Sequence, residues 1–502
     1  DIPAFQTATG AITLSDILGH NATQGYFGRI NYNYKEKYLL ETNMRYDGSY
    51  VFRQGNRWGF FPSASIGWSV HRESFWKHVQ PYVNTLKIKA SWGQLGNQNV
   101  NPYTDLSLIP LQTGKLNWIF EPTGGRRIGY TTAPEIVNRH LTWETAATTN
   151  LGLETSFFDN RLQATVDLFE RRTTDMVGPS ESKPGVLGAN APKMNNATLR
   201  TRGWEISLNW KHTINKDFSY FVNLNLSDYR SVVTKYNNPT GTLSTWYEGQ
   251  EVGDIWGYTV HDLFRTQAEL DDYLSKKDLS FLGATWRTGD VKFEDTDNND
   301  KVNNGKNTVS DHGDLSVIGN DQPHYIFGIM PGFSYKGLDF SMLWSGVMKR
   351  DVSFNSDANL YWGFHSMWWE GNLQPRNLDY FRDEPGTKYV GLYEGDANIN
   401  TDAFWPRPYL NGTEIDKNYS HPNTRYLANA AYIRMQNIQL GYTFPKKWTS
   451  KIKLEKVRIY FSGDNLLTFT SLPNGVDPEI PNNANLTYGA DRVCSFGITV
   501  SY

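Results

Sequence analysis

One cysteine, Cys494, stands in a chain of 502 residues. A lone thiol excludes an internal disulfide framework and any zinc site built on several thiolates. Lying in an apolar alternating run, it reads as a small buried or lipid-facing side chain. Long hydrophobic runs are missing too. Hydrophobic content is 39% and mean hydropathy −0.56, and no stretch approaches the roughly 20 apolar residues of a membrane-spanning helix. A helical membrane protein is excluded. A membrane β-barrel is not, because only every second residue of its short strands must be apolar. Charge of one sign is not in excess: 49 Lys+Arg face 52 Asp+Glu, for a net −3, which gives no reason to expect nucleic acid or acidic partners. The first ten residues, DIPAFQTATG, lack the basic and apolar regions of a signal peptide. The expectation is a removed leader or a start that is not the natural one. Catalytic signatures are absent as well: no His-Glu-x-x-His, no Gly-x-Ser-x-Gly, no phosphate-binding glycine loop. The ten histidines are scattered and the Asp271-Asp272 pair lies in a polar stretch, so no enzyme is expected.

Aromatics, at 14%, and 43 glycines are what the chain has in plenty. Large amphipathic rings suit membrane interfaces and sugar-binding surfaces alike. The stretch YKEKYLLETNMRYDG (34–48) shows how they are arranged. Side chains of a strand alternate faces, so Tyr38, Leu40, Thr42, Met44 and Tyr46 share one side. Glu41, Asn43, Arg45 and Asp47 share the other. Segments of this kind recur at 26–34, 37–48, 60–70, 85–93, 149–157, 161–172, 203–211, 218–229, 325–335, 338–348, 431–444, 455–463 and 493–502. Only 267–277 suggests a short helix.

The links between these strands alternate in length. Those after the odd strands are short (35–36, 158–160, 336–337 among them), and those after the even ones are mostly long (94–148, 173–202, 230–324, 349–430, 464–492). An up-and-down meander then gathers the long loops at one end, as in outer-membrane barrels. Greek-key sandwiches and propellers have no reason to produce that alternation. The last strand, CSFGITVSY, places Phe496, Ile498, Val500 and the terminal Tyr502 on one face, in the manner of a C-terminal signal for barrel insertion. The fold class expected is therefore all-β, a transmembrane antiparallel barrel. Glu41, Asn43, Arg45 and Asp47 would face a wet lumen and the greasy side would face lipid.

The stretches YFGRINYNYKEKYLLETNMRYDGSYVF, GNRWGFFPSASIGWSV, LKIKASWGQLGNQN, ERRTTD, RGWEISLNW, GDIWGY, AAYIRMQNIQLGYTFP, RIYFSGDNLLTFT and DPE, in this order, resemble the SusC/RagA group of TonB-dependent outer-membrane transporters. The resemblance implies a 22-stranded barrel, an N-terminal plug domain, a TonB-contacting segment and a SusD-like surface lipoprotein that closes the mouth as a lid. It implies import of oligosaccharides, or in some members peptides, through the outer membrane of Bacteroidetes with energy from TonB-ExbB-ExbD. On this reading residues 26–502 form the C-terminal thirteen or so strands, residues 1–25 are a loop or strand remnant, and plug and early strands are not within this chain. A passive porin is the alternative within transport. From another class, the alternative is a secreted glycan-binding β-protein.

Two loop features carry candidate chemistry. In DTDNNDKVN (295–303), Asp295, Asp297, Asn299 and the carbonyl of Lys301 match the first four ligand positions of an EF-hand-type calcium loop. The turn glycine is replaced by Asp300 and position twelve is Lys306, so a solvated Asx-rich turn competes with calcium; no other cofactor is expected. Loop 349–430 carries Tyr361, Trp362, Phe364, Trp368, Trp369, Trp405 and Tyr409. Such rings stack on sugars or anchor a protein partner, or pack within the loop to hold its shape.

Overall fold

The computed structural model describes residues 22–98, 100, 111–112, 130–131, 136–179, 186, 191–354, 359–362, 374–409, 417–481 and 489–502. Thirteen strands form one large antiparallel sheet: β1 (Thr23–Tyr34), β2 (Tyr38–Ser49), β3 (Trp58–Ser69), β4 (Val83–Asn97), β5 (Glu144–Phe157), β6 (Leu162–Val177), β7 (Asn195–Asn215), β8 (Phe218–Tyr236), β9 (His324–Tyr335), β10 (Leu338–Lys349), β11 (Tyr432–Thr443), β12 (Lys456–Thr470) and β13 (Val493–Ser501). Each strand pairs with its neighbours in sequence, which is the meander the link lengths call for. The expected strands are all present. β7 and β8 run longer than their apolar parts, to 21 and 19 residues, because the ladder continues through polar residues at their outer ends. The helix of the 267–277 stretch, α1 (Gln267–Leu274), is capped by Thr266, whose side chain accepts the Glu269 N–H.

The short links are tight reversals. Lys35 and Glu36 have φ of 53° and 55°, and Lys336 and Gly337 of 46° and 91°. Positive φ at both turn positions matches the right-handed twist of the flanking strands. Asn33 steadies the first turn by accepting the Glu36 N–H at 2.8 Å.

Register places the apolar residues in one continuous band. Leu40 sits opposite Tyr32 and Ile66, and Ile88 opposite Trp68 and Leu153. Leu153, Val166, Ile206, Leu226 and Phe327 follow one another across five strands. Farther along the same face of β9, Phe333 begins a second row with Phe340, Leu440, Phe461 and Phe496. Many of these are open to the surroundings: Ile66 is 60% exposed and Phe496 84%. A water-facing sheet does not carry such a belt; a lipid-facing one must. The adjacent pair Leu224 and Asn225 on β8 tests it, since Leu224 lies on the belt, opposite Leu208, and Asn225 on the other face. Leu224→Arg is expected to cost about 2–4 kcal/mol in a lipid-reconstituted unfolding titration. Asn225→Arg is expected to stay within about 0.5 kcal/mol. Equal costs would remove the assignment of faces.

Candidate functional site

The face opposite the belt is polar and extensively hydrogen-bonded. Glu41, Asn43, Arg45 and Asp47 all lie on it. Glu41 takes Arg29 at 2.6 Å and Asn43 Nδ2 at 3.0 Å, and Arg45 grips Asp47 through two bonds of 3.0 Å. The network continues across the sheet. Lys89 reaches Glu154 at 3.1 Å and Asp167 at 3.2 Å, Asn150 donates to Asp167, and Arg458 pairs with Asp339. Serines 63, 65 and 91 stand opposite these residues in register. Such a wall offers closely spaced donors and acceptors to a ligand rich in hydroxyls or amides.

Part of the link 471–492 folds onto this wall. Arg434, on β11 and 4% exposed, donates to Asp477 Oδ1 at 2.7 Å and to Thr468 Oγ1 at 3.0 Å. Gln436 holds Glu479 at 2.8 Å. Burial alone would raise the Asp477 carboxyl, but the backbone N–H groups of Ala490 and Glu479 and the Arg434 guanidinium outweigh it and hold the carboxyl below its usual range. The DPE stretch is therefore a latch.

Beyond the ends of β8 to β12, three links pack into a body with its own core. Tyr258, Phe264, Leu270, Val291 and Phe293 come from the link after β8. Val352, Phe354, Phe381 and Ala403 come from that after β10, and Leu472 and Val476 from that after β12. These three long links thus gather at one end. Tyr361, Trp362 and Trp405 belong to this core at 6%, 2% and 3% exposure, with Trp405 stacked 5.6 Å from Tyr426 and Trp362 edge-on to both. They shape the cap and present no ring to a ligand. Tyr409 is half-buried and donates to Asp290 at 2.8 Å. Phe364, Trp368 and Trp369 lie outside the described residues. Exposed rings stand elsewhere in the cap: Tyr389 at 87% and Tyr393 at 53% on the hairpin formed by Gly386–Thr387 and Val390–Gly395, and Phe281 and Phe404 outside it. No periodic pattern marks that hairpin in the sequence.

The acidic turn draws carboxylates together, though not the set expected. Oxygens of Asp295, Asp297 and Asp314 lie within 4.8 Å of one another. Asp314 has no motif spacing to the other two. Asn299 turns inward on the loop: its N–H groups donate to Asp295 and Asp297, and its Oδ1 accepts the Lys301 N–H. This is the Asx-turn arrangement. Lys277 supplies a cation, 2.6 Å from Asp295 and 2.7 Å from Asp300. Burial pushes Asp295 up, but Lys277 and the N–H groups of Asp300 and Asn299 hold it below its ordinary 3.8. Asp297 moves the other way, raised by burial and by the Asp314 charge.

A depressed carboxyl contributes stability above its unfolded value and loses it as pH falls through the folded one. Lys277→Met is therefore expected to loosen this loop at neutral pH, with the difference from wild type closing below about pH 4. Hydrogen exchange of the 295–303 amides measures it. A difference constant with pH would show that Lys277 does not set the Asp295 charge, and protection of wild type by added calcium would show an ion displacing Lys277.

Residues 2–326 match the family model described as TonB dependent receptor-like, β-barrel. Among curated relatives, TonB-dependent receptor P3 of Formosa agariphila is 26% identical over 487 residues, covering 94% of this chain and 43% of the relative. TonB-dependent receptor SusC of Bacteroides thetaiotaomicron is 27% identical over 461 residues, covering 92% and 42%. The solved structure of the RagAB peptide transporter superposes with a TM-score of 0.72 at 20% identity, over 100% of this chain and 50% of that one. The chain thus spans less than half the length of the curated relatives it matches. Those relatives are named as TonB-dependent receptors. With its thirteen-stranded meander, its exposed apolar belt and a family match over residues 2–326, the chain belongs to the TonB-dependent receptor β-barrel family.

Proposed function

We propose that this chain forms part of the wall and the outer cap of an outer-membrane importer that takes up oligosaccharides with energy from TonB-ExbB-ExbD. One observation carries the reading: a belt fit for lipid backs a hydrogen-bonded polar face beneath a packed loop cap. That face, with Asn43, Ser63, Ser65, Ser91 and Asn150 between ion pairs, suits the dense hydroxyls of a sugar chain. Oligopeptides are the second reading, because RagAB is a peptide transporter and has the same fold. A SusD-like surface lipoprotein serves as the lid. Tyr389, Val390 and Tyr393, clustered on one hairpin, offer it an apolar contact that the buried Trp362 and Trp405 do not.

Growth of a deletion strain on single nutrients tests this. Loss of growth on one oligosaccharide class, with peptide use intact, supports the proposal; the reverse supports the peptide reading. Uptake that survives removal of TonB indicates a passive porin. A chain that stays soluble without detergent indicates a secreted glycan-binding protein. Labelling of intact cells checks orientation: Lys301, in the cap, is expected to react before Lys35 and Lys336 in the short turns.

A further inference from the structure

Just beyond the lipid-facing belt, β6 to β8 carry arginines in an arrangement that a lumenal transport role does not use. On the outward face the register runs Leu168 opposite Trp204, then Glu170 opposite Arg202, then Arg172 opposite Arg200. On the next strand Arg230 stands opposite Arg202. Two arginine pairs therefore face each other across adjacent strands, in consecutive layers of one face. Like charges directly opposite are destabilising. Arg202 and Arg230 remain 65% and 63% exposed. A concavity of about 410 Å³ opens between Arg200, Arg202, Arg230, Trp204 and Asp228.

The acidic groups nearby are largely committed. Glu170 pairs with Arg202 Nε at 2.5 Å, leaving the outer nitrogens of that guanidinium. Asp228 is buried and accepts His324 Nδ1 at 2.8 Å and the Tyr325 N–H at 3.3 Å. Glu251 stands 3.8 Å from Arg230, beyond hydrogen-bond range, and 3.9 Å from His324. No ion pair among the described residues holds Arg172 or Arg200.

We propose that this cluster binds the phosphate of a phosphorylated glycolipid in the outer leaflet. The position argues for a lipid headgroup. The cluster lies on the same face as the belt and one layer beyond Trp204, a residue type that settles at the membrane interface. It also lies toward the end where the long links emerge, and a solute crossing the lumen would not meet it. Arginine forks bind phosphate oxygens in pairs, and an anion between Arg172, Arg200, Arg202 and Arg230 relieves their mutual repulsion. Sugar hydroxyls of the same headgroup would find Glu170 and Glu251 beside it.

The proposal rests on the outer-membrane reading, and its test separates the two. The full-length transporter in detergent is titrated with monophosphoryl lipid A, with the same lipid after dephosphorylation, and with inorganic phosphate as competitor. Native mass spectrometry reads the bound lipid, and heat-modifiable gel migration reports a formed barrel. The phosphorylated lipid is expected to bind about tenfold or more tightly than its dephosphorylated form. The triple variant Arg172→Gln/Arg200→Gln/Arg230→Gln is expected to lose that preference while migrating as a formed barrel. Equal binding of the two lipids by wild type overturns the proposal whether or not the variant folds. So does an unchanged preference in a folded variant. Competition by inorganic phosphate at concentrations matching the lipid would make this a free-anion site and also overturn it. Failure of any version to form a barrel would refute the outer-membrane reading first and this proposal with it.

Discussion

Lys417→Met is expected to collapse the loop cap while leaving the sheet beneath it intact. The Lys417 ammonium and the Asp290 carboxylate are 1% and 0% exposed and 2.8 Å apart. The carboxylate is saturated. Oδ1 accepts Tyr409 Oη and Asn418 Nδ2, and Oδ2 accepts the Arg287 N–H beside Lys417. Lys417 also donates to the Thr285 carbonyl and lies 4.4 Å over the Tyr409 ring. Asn418 Oδ1 in turn accepts the Val291 N–H, so the ion pair ties the 285–291 segment to the 417–419 segment through the middle of the cap. Removing the cation leaves a buried charge with neutral donors only, at a cost of about 3–5 kcal/mol. Replacing both partners, Lys417→Met with Asp290→Leu, removes the orphaned charge and is expected to cost less than the two single changes together. Limited proteolysis of intact cells, with heat-modifiability as the barrel readout, measures this. A Lys417→Met cap as resistant as wild type would refute the role given to the pair.

The sheet was legible in the sequence because a barrel strand writes its environment into alternate residues. In β2 the order Tyr38, Leu40, Met44, Tyr46 against Glu41, Asn43, Arg45, Asp47 leaves only the choice of which side is wet, and the alternation of link lengths makes that choice. The cap was not legible in the same way. Its core residues, such as Phe264, Phe293, Trp362 and Trp405, come from links about a hundred residues apart in sequence and sit in irregular backbone. No local period announces that they meet. An aromatic-rich loop reads equally as a binding surface or as packing, and here Tyr361, Trp362 and Trp405 are packing. The acidic turn shows the same limit. Asp295 and Asp297 are marked by spacing, while Asp314 and Lys277, which decide the local charge balance, arrive through tertiary structure.

The sheet itself leads to the largest effect. β1 pairs with β2 alone and β13 with β12 alone, so among the described residues the thirteen strands do not close on themselves. Both outer strands carry the belt: Tyr26, Ile30 and Tyr32 on β1, and Phe496, Ile498 and Val500 on β13, are all more than two-fifths exposed. An edge in bilayer hydrocarbon leaves a row of N–H and C=O groups unpaired, each costing several kcal/mol. Summed over strands of 12 and 9 residues, that penalty exceeds the stability of an ordinary domain, about 5–15 kcal/mol. Bacterial single-chain barrels also have an even strand number. Residues 1–502 expressed alone are therefore expected to yield no heat-modifiable barrel and to be cleared or aggregated. Expressed within a longer protein that supplies a pairing strand to each open edge, the same residues are expected to insert. Cysteine pairs then report the closure. A cysteine at Ile498 is expected to cross-link to a position outside this chain and not to one at Ile30, and efficient Ile30–Ile498 cross-linking in a small folded barrel would show that the thirteen strands suffice.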